Sequence, residues 1–243
     1  MKIVVLAAGK GSRFNSKKII HKSFIKVKNK TLIEHILSGF SFYEKIIVLG
    51  YNNFKIKNKL KNYKNTKFLV NKKFETTEML YSLVLALKKI KNEDVLITYS
   101  DIFYNYKLIL SLLNKQKKIS IPILNNWKKI WSKRLKNYQE DLETLKINDK
   151  DNLIEIGEKV KNLNDVMGQY MGLLYIPKKE INTFLKYYNH NYWKKKQITK
   201  YLNYLVNKKI TIKTVGYNNY WYEFDTLNEL KNFKNLKFKK LNN

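Results

Sequence analysis

The feature that constrains this chain most is the change, close to its start, from an apolar run to small residues and glycines. Ile3–Leu6 has the character of a buried strand, and Ala7-Ala8-Gly9-Lys10-Gly11-Ser12-Arg13 follows it directly. Such a backbone can approach phosphates closely, with amide N–H groups pointing at them. The spacing fits neither G-x-G-x-x-G nor G-x-x-x-x-G-K-[ST]. The segment therefore predicts a phosphate-binding turn of another class, with a plain strand-to-helix turn as the alternative.

Composition limits the class of protein. A chain of 243 residues that is 44% hydrophobic can build one large α/β domain or two small ones. It has no apolar run of membrane-spanning length, and its N-terminus enters a strand without a charged signal region. We therefore expect a cytoplasmic protein without membrane insertion. The sequence contains no cysteine, which excludes disulfides, thiolate metal sites and cysteine nucleophiles.

The net charge of +30 raises the question of nucleic-acid binding. The lysines are spread over the whole chain among many asparagines, as expected of compositional bias in a low-GC genome. We therefore expect no nucleic-acid partner, and a basic nucleic-acid-binding protein remains the alternative from another functional class.

Arginine is used very differently from lysine. Of the 49 basic residues, only Arg13 and Arg134 are arginines. A planar guanidinium grips phosphate through two hydrogen bonds at once, which an ammonium cannot imitate. Both arginines are therefore candidates for functional residues.

The first half of the chain alternates apolar β-branched runs with stretches of helical spacing. The predicted strands are Ile3–Leu6, Ile46–Leu49, Phe68–Val70, Val95–Thr98 and Ile119–Ile123. The predicted helices are Leu32–Phe40, Phe54–Leu60, Thr77–Ile90 and Tyr106–Leu113. This alternation predicts an α/β fold, with a mostly parallel mixed sheet flanked by helices on both faces. A ligand should then bind at the carboxyl ends of the strands.

The pattern changes after Ile123. Asn126–Tyr138 is polar and aromatic, and Glu143–Ile147 with Leu153–Ile156 indicates a hairpin. Further strands are predicted at Met171–Ile176, Ile210–Val215 and Tyr220–Phe224, and further helices at Lys178–Tyr188, Gln197–Val206 and Leu227–Phe233. Because no linker separates these parts, we expect a single domain over residues 1–243. The inserted acceptor-binding region would span about residues 125–170 and 190–222.

Two predicted strands end in an aspartate. Asp101 follows Val95–Ser100, and Asp225 follows Tyr220–Phe224. A carboxylate at the carboxyl edge of a sheet can hold Mg²⁺. Asp225 could instead cap the last helix.

Residues 6–13 resemble the L-A-A-G-x-G-x-R signature of nucleotidyltransferases, which couple an NTP to a phosphorylated small molecule and release pyrophosphate. His21 to Glu34 resembles their P-K-x-x-x-x-V-x-G-K-x-L-I segment, with His21 in place of Pro and Asn29 in place of Gly. The resemblance implies that Arg13 and Lys22 contact phosphate and that Asp101 and Asp225 hold Mg²⁺. These four residues form the predicted catalytic set.

Asn71 to Leu83 resembles a segment of phosphocholine and phosphonate cytidylyltransferases that borders the cytosine pocket. Thr76 or Thr77 could cap this helix. Glu78 replaces the usual Asn, and a carboxylate can accept from the cytosine amino group but cannot donate to its carbonyl. The predicted nucleotide-binding residues are Leu6, Ala7, Ala8, Gly9, Lys10, Gly11, Ser12, Arg13, Thr77, Glu78, Ser82 and Ser100.

A third block resembles W-x-x-x-W-x-x-R…D-x-E-T of the phosphonate and capsule branch. Exposed tryptophans beside an arginine and acids would suit an acceptor with phosphate at one end and an ammonium group at the other. The alternative is that these aromatic residues simply pack a small lid against the sheet. The predicted acceptor-binding residues are Trp127, Trp131, Arg134, Glu143, Lys159, Gln169 and Tyr170.

The resemblance implies an Mg²⁺-dependent cytidylyltransferase that joins CMP from CTP to a phosphorylated or phosphonate acceptor. Its product would serve surface polysaccharide, phosphonate or phosphocholine decoration. The alternative within enzymes is a hexose-1-phosphate nucleotidyltransferase that makes an NDP-sugar. The sequence does not name the acceptor, and it leaves the oligomeric state open, with a homodimer as one option.

Overall fold

The computed structural model describes residues 1–14 and 19–235. In chain order, the strands within them are β1 Lys2–Ala7, β2 Lys26–Val27, β3 Lys30–Thr31, β4 Glu44–Leu49, β5 Thr66–Val70, β6 Val95–Tyr99, β7 Ile102–Tyr104, β8 Ile119–Leu124, β9 Glu143–Ile147, β10 Leu153–Lys159, β11 Gln169–Tyr170, β12 Leu173–Ile176, β13 Ile212–Tyr217 and β14 Trp221–Glu223. The helices are α1 Leu32–Gly39, α2 Asn53–Leu60, α3 Met79–Leu87, α4 Tyr106–Leu113, α5 Trp127–Arg134, α6 Ile181–Lys186, α7 His190–Trp193, α8 Ile198–Asn207 and α9 Leu227–Asn235.

The central sheet has the order β11-β8-β12-β6-β1-β4-β5, and β13 also pairs with β8. The pairs of β1 with β4 and β6, of β4 with β5 and of β13 with β8 are parallel. Strands β11 and β12 run antiparallel to their neighbours. The predicted mixed, mostly parallel sheet is therefore confirmed.

Both faces of the sheet are covered by helices. On β1, Val4 and Leu6 face one apolar cluster, which contains residues of α3 and α8. Ile3 and Val5 face a second cluster, which contains residues of α1, α2 and α4. A strand buried on both faces is apolar throughout, because every side chain meets a covering helix.

A small ladder outside the central sheet matters most for the site. Strand β7 begins one residue after Asp101, and it pairs antiparallel with β14, with Ile102 opposite Glu223. The N–H of Phe224 donates to the carbonyl of Asp101 at 3.0 Å. The ladder therefore brings the ends of two segments, which lie over a hundred residues apart in the sequence, side by side.

The predicted strands, helices and hairpin of the first subsection are all present, with ends shifted by a few residues. The short strands β2, β3, β7 and β11 and the four-residue α7 were not predicted, because segments this short carry no periodicity. The eight-residue α5 was not predicted either, since its segment was described only as polar and aromatic. Within the described residues, none of the helices is long and apolar enough to cross a membrane.

Candidate active site

The turn after β1 has the backbone geometry that its small residues predicted. Gly11 has a φ of +62°, and a Cβ there would come within 3.0 Å of the Lys22 side chain. Phe14 N–H donates to the Gly11 carbonyl and closes a 3₁₀ turn over Ser12–Phe14. His21 Nε2 lies 3.0 Å from the Gly9 carbonyl oxygen, which ties the turn to the segment that contains Lys22. The positive φ therefore favours glycine at position 11, and a larger residue there would also press on the Lys22 side chain.

Lys22 lies between the two strand-end aspartates. Its Nζ is 2.7 Å from Asp101 Oδ2 and 2.5 Å from Asp225 Oδ1. Arg13 Nη2 lies 2.8 Å from the other oxygen of Asp225. The four residues of the predicted catalytic set therefore form one continuous charge cluster.

The charged groups in this cluster shift one another's pKa values. Burial lowers the pKa of the Lys22 ammonium, but Asp101 and Asp225 more than offset this effect, so the pKa is raised overall. Burial raises the pKa of Asp225, and Lys22 and Arg13 reverse this, so that its pKa lies below the ordinary value. Lys22 therefore stays positive and Asp225 negative near neutral pH.

A third carboxylate belongs to this site and was missed from the sequence. Single oxygens of Asp101, Glu223 and Asp225 lie within 4.8 Å of one another. Burial raises the pKa of Glu223 to about 8, against the opposing effect of Arg134. The alternation of side chains along a strand was the available signal, since in an extended segment residues 223 and 225 would point to the same side.

The charge cluster forms one end of a cavity of about 590 Å³ at the carboxyl ends of β1 and β6. All of the predicted catalytic and nucleotide-binding residues line it. The cavity also contains residues that were not among the predicted site residues, namely His21, Asn71, Phe74, Glu75, Met79, Tyr99 and Glu223. The site lies where an open α/β sheet is expected to bind its ligand.

The other end of the cavity is formed by the start of α3. Asn71 Nδ2 donates to the hydroxyl oxygens of Thr77 and Ser82, each at 3.0 Å. The prediction that Thr76 or Thr77 caps α3 is wrong. Glu78 occupies the N-cap position, without a side-chain cap, and the Thr77 hydroxyl donates to the Lys73 carbonyl instead. Glu78 therefore presents an exposed carboxylate to the cavity, because no helix N–H takes it up.

Asp225 is not a helix cap either. Thr226 performs that role, because its hydroxyl accepts from Glu229 N–H at 3.2 Å while Glu229 Oε2 accepts from Thr226 N–H at 2.6 Å. This reciprocal arrangement is a capping box. It leaves the Asp225 carboxylate free to pair with Lys22 and Arg13.

The expectation of exposed tryptophans in the acceptor region is wrong. Trp127 and Trp131 are each 3% exposed, and Arg134 is 1% exposed. The indole rings of Trp131 and Trp221 stack in parallel with centroids 5.0 Å apart. These residues pack in the interior, as in the packing alternative, because α5 lies against β14 and α9 and their apolar surfaces cover one another.

The other predicted acceptor-binding residues do not line the cavity. Gln169 is buried and donates to the carbonyls of Glu143 and Gly168, so its amide supports the backbone. Glu143 lies 3.5 Å from the Thr199 hydroxyl, and burial raises its pKa. Tyr170 makes an edge contact with Tyr99, which does line the cavity, and Lys159 is exposed. Their assignment to an acceptor remains a prediction.

The donor set at the charged end suits a hard divalent cation. Carboxylate oxygens are the ligands that Mg²⁺ and Mn²⁺ prefer in proteins. Single oxygens of Asp101, Glu223 and Asp225 converge closely enough to be ligands of one ion.

Comparison with known proteins gives both a family and a full-length relative. Residues 3–143 match the model of the MobA-like NTP transferase domain. The chain is 30% identical over 250 aligned residues to the CTP:phosphoglutamine cytidylyltransferase of Campylobacter jejuni, with 95% of this chain and 98% of that protein covered.

Solved structures share the fold at lower identity. The CTP:phosphocholine cytidylyltransferase of Streptococcus pneumoniae superposes with a TM-score of 0.75 at 15% identity, covering 96% of this chain and 97% of the other. The inositol-1-phosphate CTP transferase of T. maritima gives 0.72 at 18% identity, with 94% and 90% covered. At such identity these likenesses show the fold alone.

Proposed function

The chain belongs to the family of MobA-like NTP transferase domains, and we propose that it transfers a cytidylyl group from CTP to a small phosphorylated or phosphonate acceptor. One observation carries the proposal. A single cavity joins the glycine turn, two cationic side chains and the clustered carboxylates at one end to the polar start of α3 at the other. The full-length similarity to a cytidylyltransferase supports CTP as the nucleotide.

The turn after β1 would hold the triphosphate. Hydrogen-bond donors and positive charge come from its backbone N–H groups, the exposed Lys10 and the Arg13 guanidinium. Gly9 and Gly11 have no side chain that would keep a phosphate away from the backbone. Lys22 lines the same cavity, so its ammonium could exchange its contacts with Asp101 and Asp225 for a contact with a phosphate. Catalysis then consists of positioning and of stabilising the charge that develops on the leaving pyrophosphate.

The nucleophile would be an anionic phosphate or phosphonate oxygen of the acceptor. This oxygen attacks the α-phosphorus of CTP, and the bond from that phosphorus to the bridging oxygen of pyrophosphate breaks on the opposite side. Because the nucleophile is already ionised, the reaction needs no side chain as a general base.

Nucleotidyltransferases of this kind generally use a divalent metal, and we propose Mg²⁺ held by Asp101 and Asp225. The bound ion would neutralise phosphate charge and orient the triphosphate. The three close carboxylates of Asp101, Glu223 and Asp225 fit such an ion, because their oxygens lie within 4.8 Å of one another and oxygen ligands are those that Mg²⁺ prefers.

The proposal also covers the identity of the acceptor, the process that uses the product and the oligomeric state. The relative from Campylobacter is named for phosphoglutamine, which makes an amino-acid phosphate a candidate beside phosphocholine and phosphonates. The product would be used to decorate surface polysaccharides or in phosphonate or phosphocholine pathways, and the reaction would take place in the cytoplasm, where CTP is available.

The proposed homodimer is tested by light scattering of the purified chain.

A pyrophosphate-release assay tests the function. CTP, UTP, ATP and GTP are each combined with phosphoglutamine, phosphocholine, 2-aminoethylphosphonate and glucose 1-phosphate in the presence of Mg²⁺. We expect release with CTP and with one of the first three acceptors. Release with a sugar phosphate and UTP would support the NDP-sugar alternative. Nucleic-acid affinity that falls steeply with salt, without release, would support the non-enzymatic alternative.

The base pocket is tested by Glu78→Gln. A charged acceptor is lost from the cytosine amino group, so kcat/KM for CTP should fall about tenfold, on the scale of one charge-assisted hydrogen bond. Glu75→Gln is the control, because it removes the same charge from the same cavity outside the helix start. Equal losses in both variants would mean that only the charge of the cavity matters.

A further inference from the structure

The tryptophan and arginine block that the sequence singled out performs none of the acceptor contacts expected of it. Arg134 is 1% exposed, at the end of α5, and it does not line the cavity. Its guanidinium lies over the Trp131 ring at 4.6 Å from the centroid and 5.7 Å from that of Trp221. The plane of the guanidinium is therefore fixed by two stacked indoles.

One arm of the guanidinium reaches the carboxylate cluster directly. Arg134 Nη2 lies 3.3 Å from Glu223 Oε2. A carboxylate oxygen of Glu223 is within 4.8 Å of oxygens of Asp101 and Asp225. The attraction of Arg134 opposes the protonation of Glu223 that burial favours, and it fixes the direction in which this carboxylate points.

A second arm reaches Asp225 through Glu229. Arg134 Nε donates to Glu229 Oε1 at 2.6 Å. The other oxygen of Glu229 accepts from the N–H of Asp225 at 2.9 Å and from the N–H and hydroxyl of Thr226. The backbone of Asp225 is therefore held by a carboxylate whose own position depends on Arg134.

A third contact fixes α5 to the same group. Arg134 Nη2 donates to Asp141 Oδ2 at 2.8 Å, and Trp131 Nε1 donates to the same oxygen at 3.1 Å. Asn232 of α9 donates to the Arg134 carbonyl. The guanidinium thus connects α5, α9 and β14 at the end of β14, where Glu223 and Asp225 lie.

We propose that Arg134 is the positioning residue of the carboxylate metal centre, holding Glu223 by direct contact and the Asp225 backbone through Glu229. Trp131 and Trp221 hold the guanidinium in the plane that reaches both glutamates. A lysine at this position keeps the charge but cannot contact two carboxylates in one plane. The proposal rests on the metal site proposed above.

The test measures Mn²⁺ binding to the intact protein without nucleotide or acceptor, so it is independent of the reaction. Electron paramagnetic resonance of free Mn²⁺ gives the dissociation constant at a temperature below the melting point of every variant. Arg134→Lys should raise this constant about tenfold. Lys45→Met is the matched control, because Lys45 is also 1% exposed and donates to the carbonyls of Phe40 and Tyr43 at the opposite edge of the sheet. It should leave the Mn²⁺ constant within twofold, whatever its melting point.

A second variant covers the case in which Arg134→Lys does not fold. Glu229→Gln keeps the shape and weakens the contact with Arg134, and it should raise the Mn²⁺ constant at least threefold. An unchanged Mn²⁺ constant in the folded variant overturns the proposal, as does a wild-type protein that binds no Mn²⁺ at millimolar concentration. A higher KM for the acceptor with unchanged Mn²⁺ binding would overturn it too and return Arg134 to the acceptor. Weaker Mn²⁺ binding in a protein that does not use CTP would uphold it while the proposed reaction fails.

Discussion

The two arginines of this chain lie in regions that differ in solvent exposure, although both regions border the cluster of Asp101, Glu223 and Asp225. The Arg13 side chain is 70% exposed at the mouth of the cavity and pairs with Asp225. The Arg134 side chain is 1% exposed behind that aspartate and pairs with Asp141, Glu223 and Glu229. The ion pair of Arg13 can be exchanged for a phosphate, whereas those of Arg134 are shielded from any ligand.

The difference teaches that a rarely used residue type identifies a position with a specific requirement. It does not show whether that requirement is ligand binding or the support of the structure. An exposed ion pair contributes little to stability, because water and salt screen it. A buried cation among carboxylates is different, because removal of one partner leaves the others unpaired in a poorly solvated interior. The region around Arg13 should therefore respond to mutation in its activity, and the region around Arg134 in its stability and in the geometry it imposes.

The largest effect is expected where the two regions meet. Asp225→Asn or Asp101→Asn should lower the rate of pyrophosphate release at least a thousandfold, about 4 kcal/mol, because a charged ligand of the cation is lost. Circular dichroism should show an intact fold. Near-normal turnover of Asp225→Asn would mean that this carboxylate serves only as a partner of Lys22 and Arg13.

Replacing each arginine by alanine compares the regions directly. Arg134→Ala should lower the free energy of unfolding by about 3 kcal/mol or more, since three carboxylates lose their buried partner. Arg13→Ala should leave it within about 0.5 kcal/mol, as for other exposed positions. Urea titration measures both. Equal losses would show that the pair of Arg13 with Asp225 is as structural as those of Arg134.

A milder change separates charge from geometry in the exposed region. Arg13→Lys keeps the charge and loses the planar fork, so kcat/KM for CTP should fall at least tenfold, about 1.4 kcal/mol. The melting temperature should not change. An unchanged rate would mean that Lys10 and the backbone N–H groups are sufficient to hold the triphosphate.

The smallest expected effect concerns His21, a buried side chain that lines the same cavity as the exposed Arg13. Burial lowers the pKa of His21, whose ring contacts Gly9 and Ser23. The neutral ring therefore contributes stability above the ordinary pKa of about 6.5, and this contribution is lost as pH falls below that value, at no more than about 1.4 kcal/mol per pH unit. Urea titrations between pH 7 and 5 should show a shallower loss in His21→Gln than in the wild type. His190→Gln, at an exposed position, is the control, and an identical slope in all three proteins would contradict the prediction.

Much of the fold and of the cavity could be predicted because the signals are local. Apolar periodicity identified the strands and helices around Leu6 and Asp101, since a strand buried on both faces is apolar throughout and a covering helix is amphipathic. The turn after β1 was visible for the same reason, because a run of small residues and glycines marks it and Gly11 has the positive φ that favours glycine. The residues close to such signals lie together in one cavity.

Two errors came from contacts over long sequence separations. Arg134 meets Glu229 across 95 residues, and Lys22 meets Asp225 across 203. Trp131 was expected at the surface because its segment resembles an acceptor-binding block, but the Trp221 ring from a distant strand covers it. Glu223 was missed because its relevance depends on the unpredicted pairing of β7 with β14.

The sequence by itself determined the α/β class, the glycine turn after β1 and the carboxylates that end two strands, since each depends on spacing and residue type within a few positions. Only the tertiary structure decided which charges share a site and which side chains are buried. The pairing of Arg134 with Glu223 leaves no signal in the local sequence of either residue. The interaction becomes strong only when the sheet and α5 exclude water from both partners, because the strength of a charge interaction depends on the medium around it.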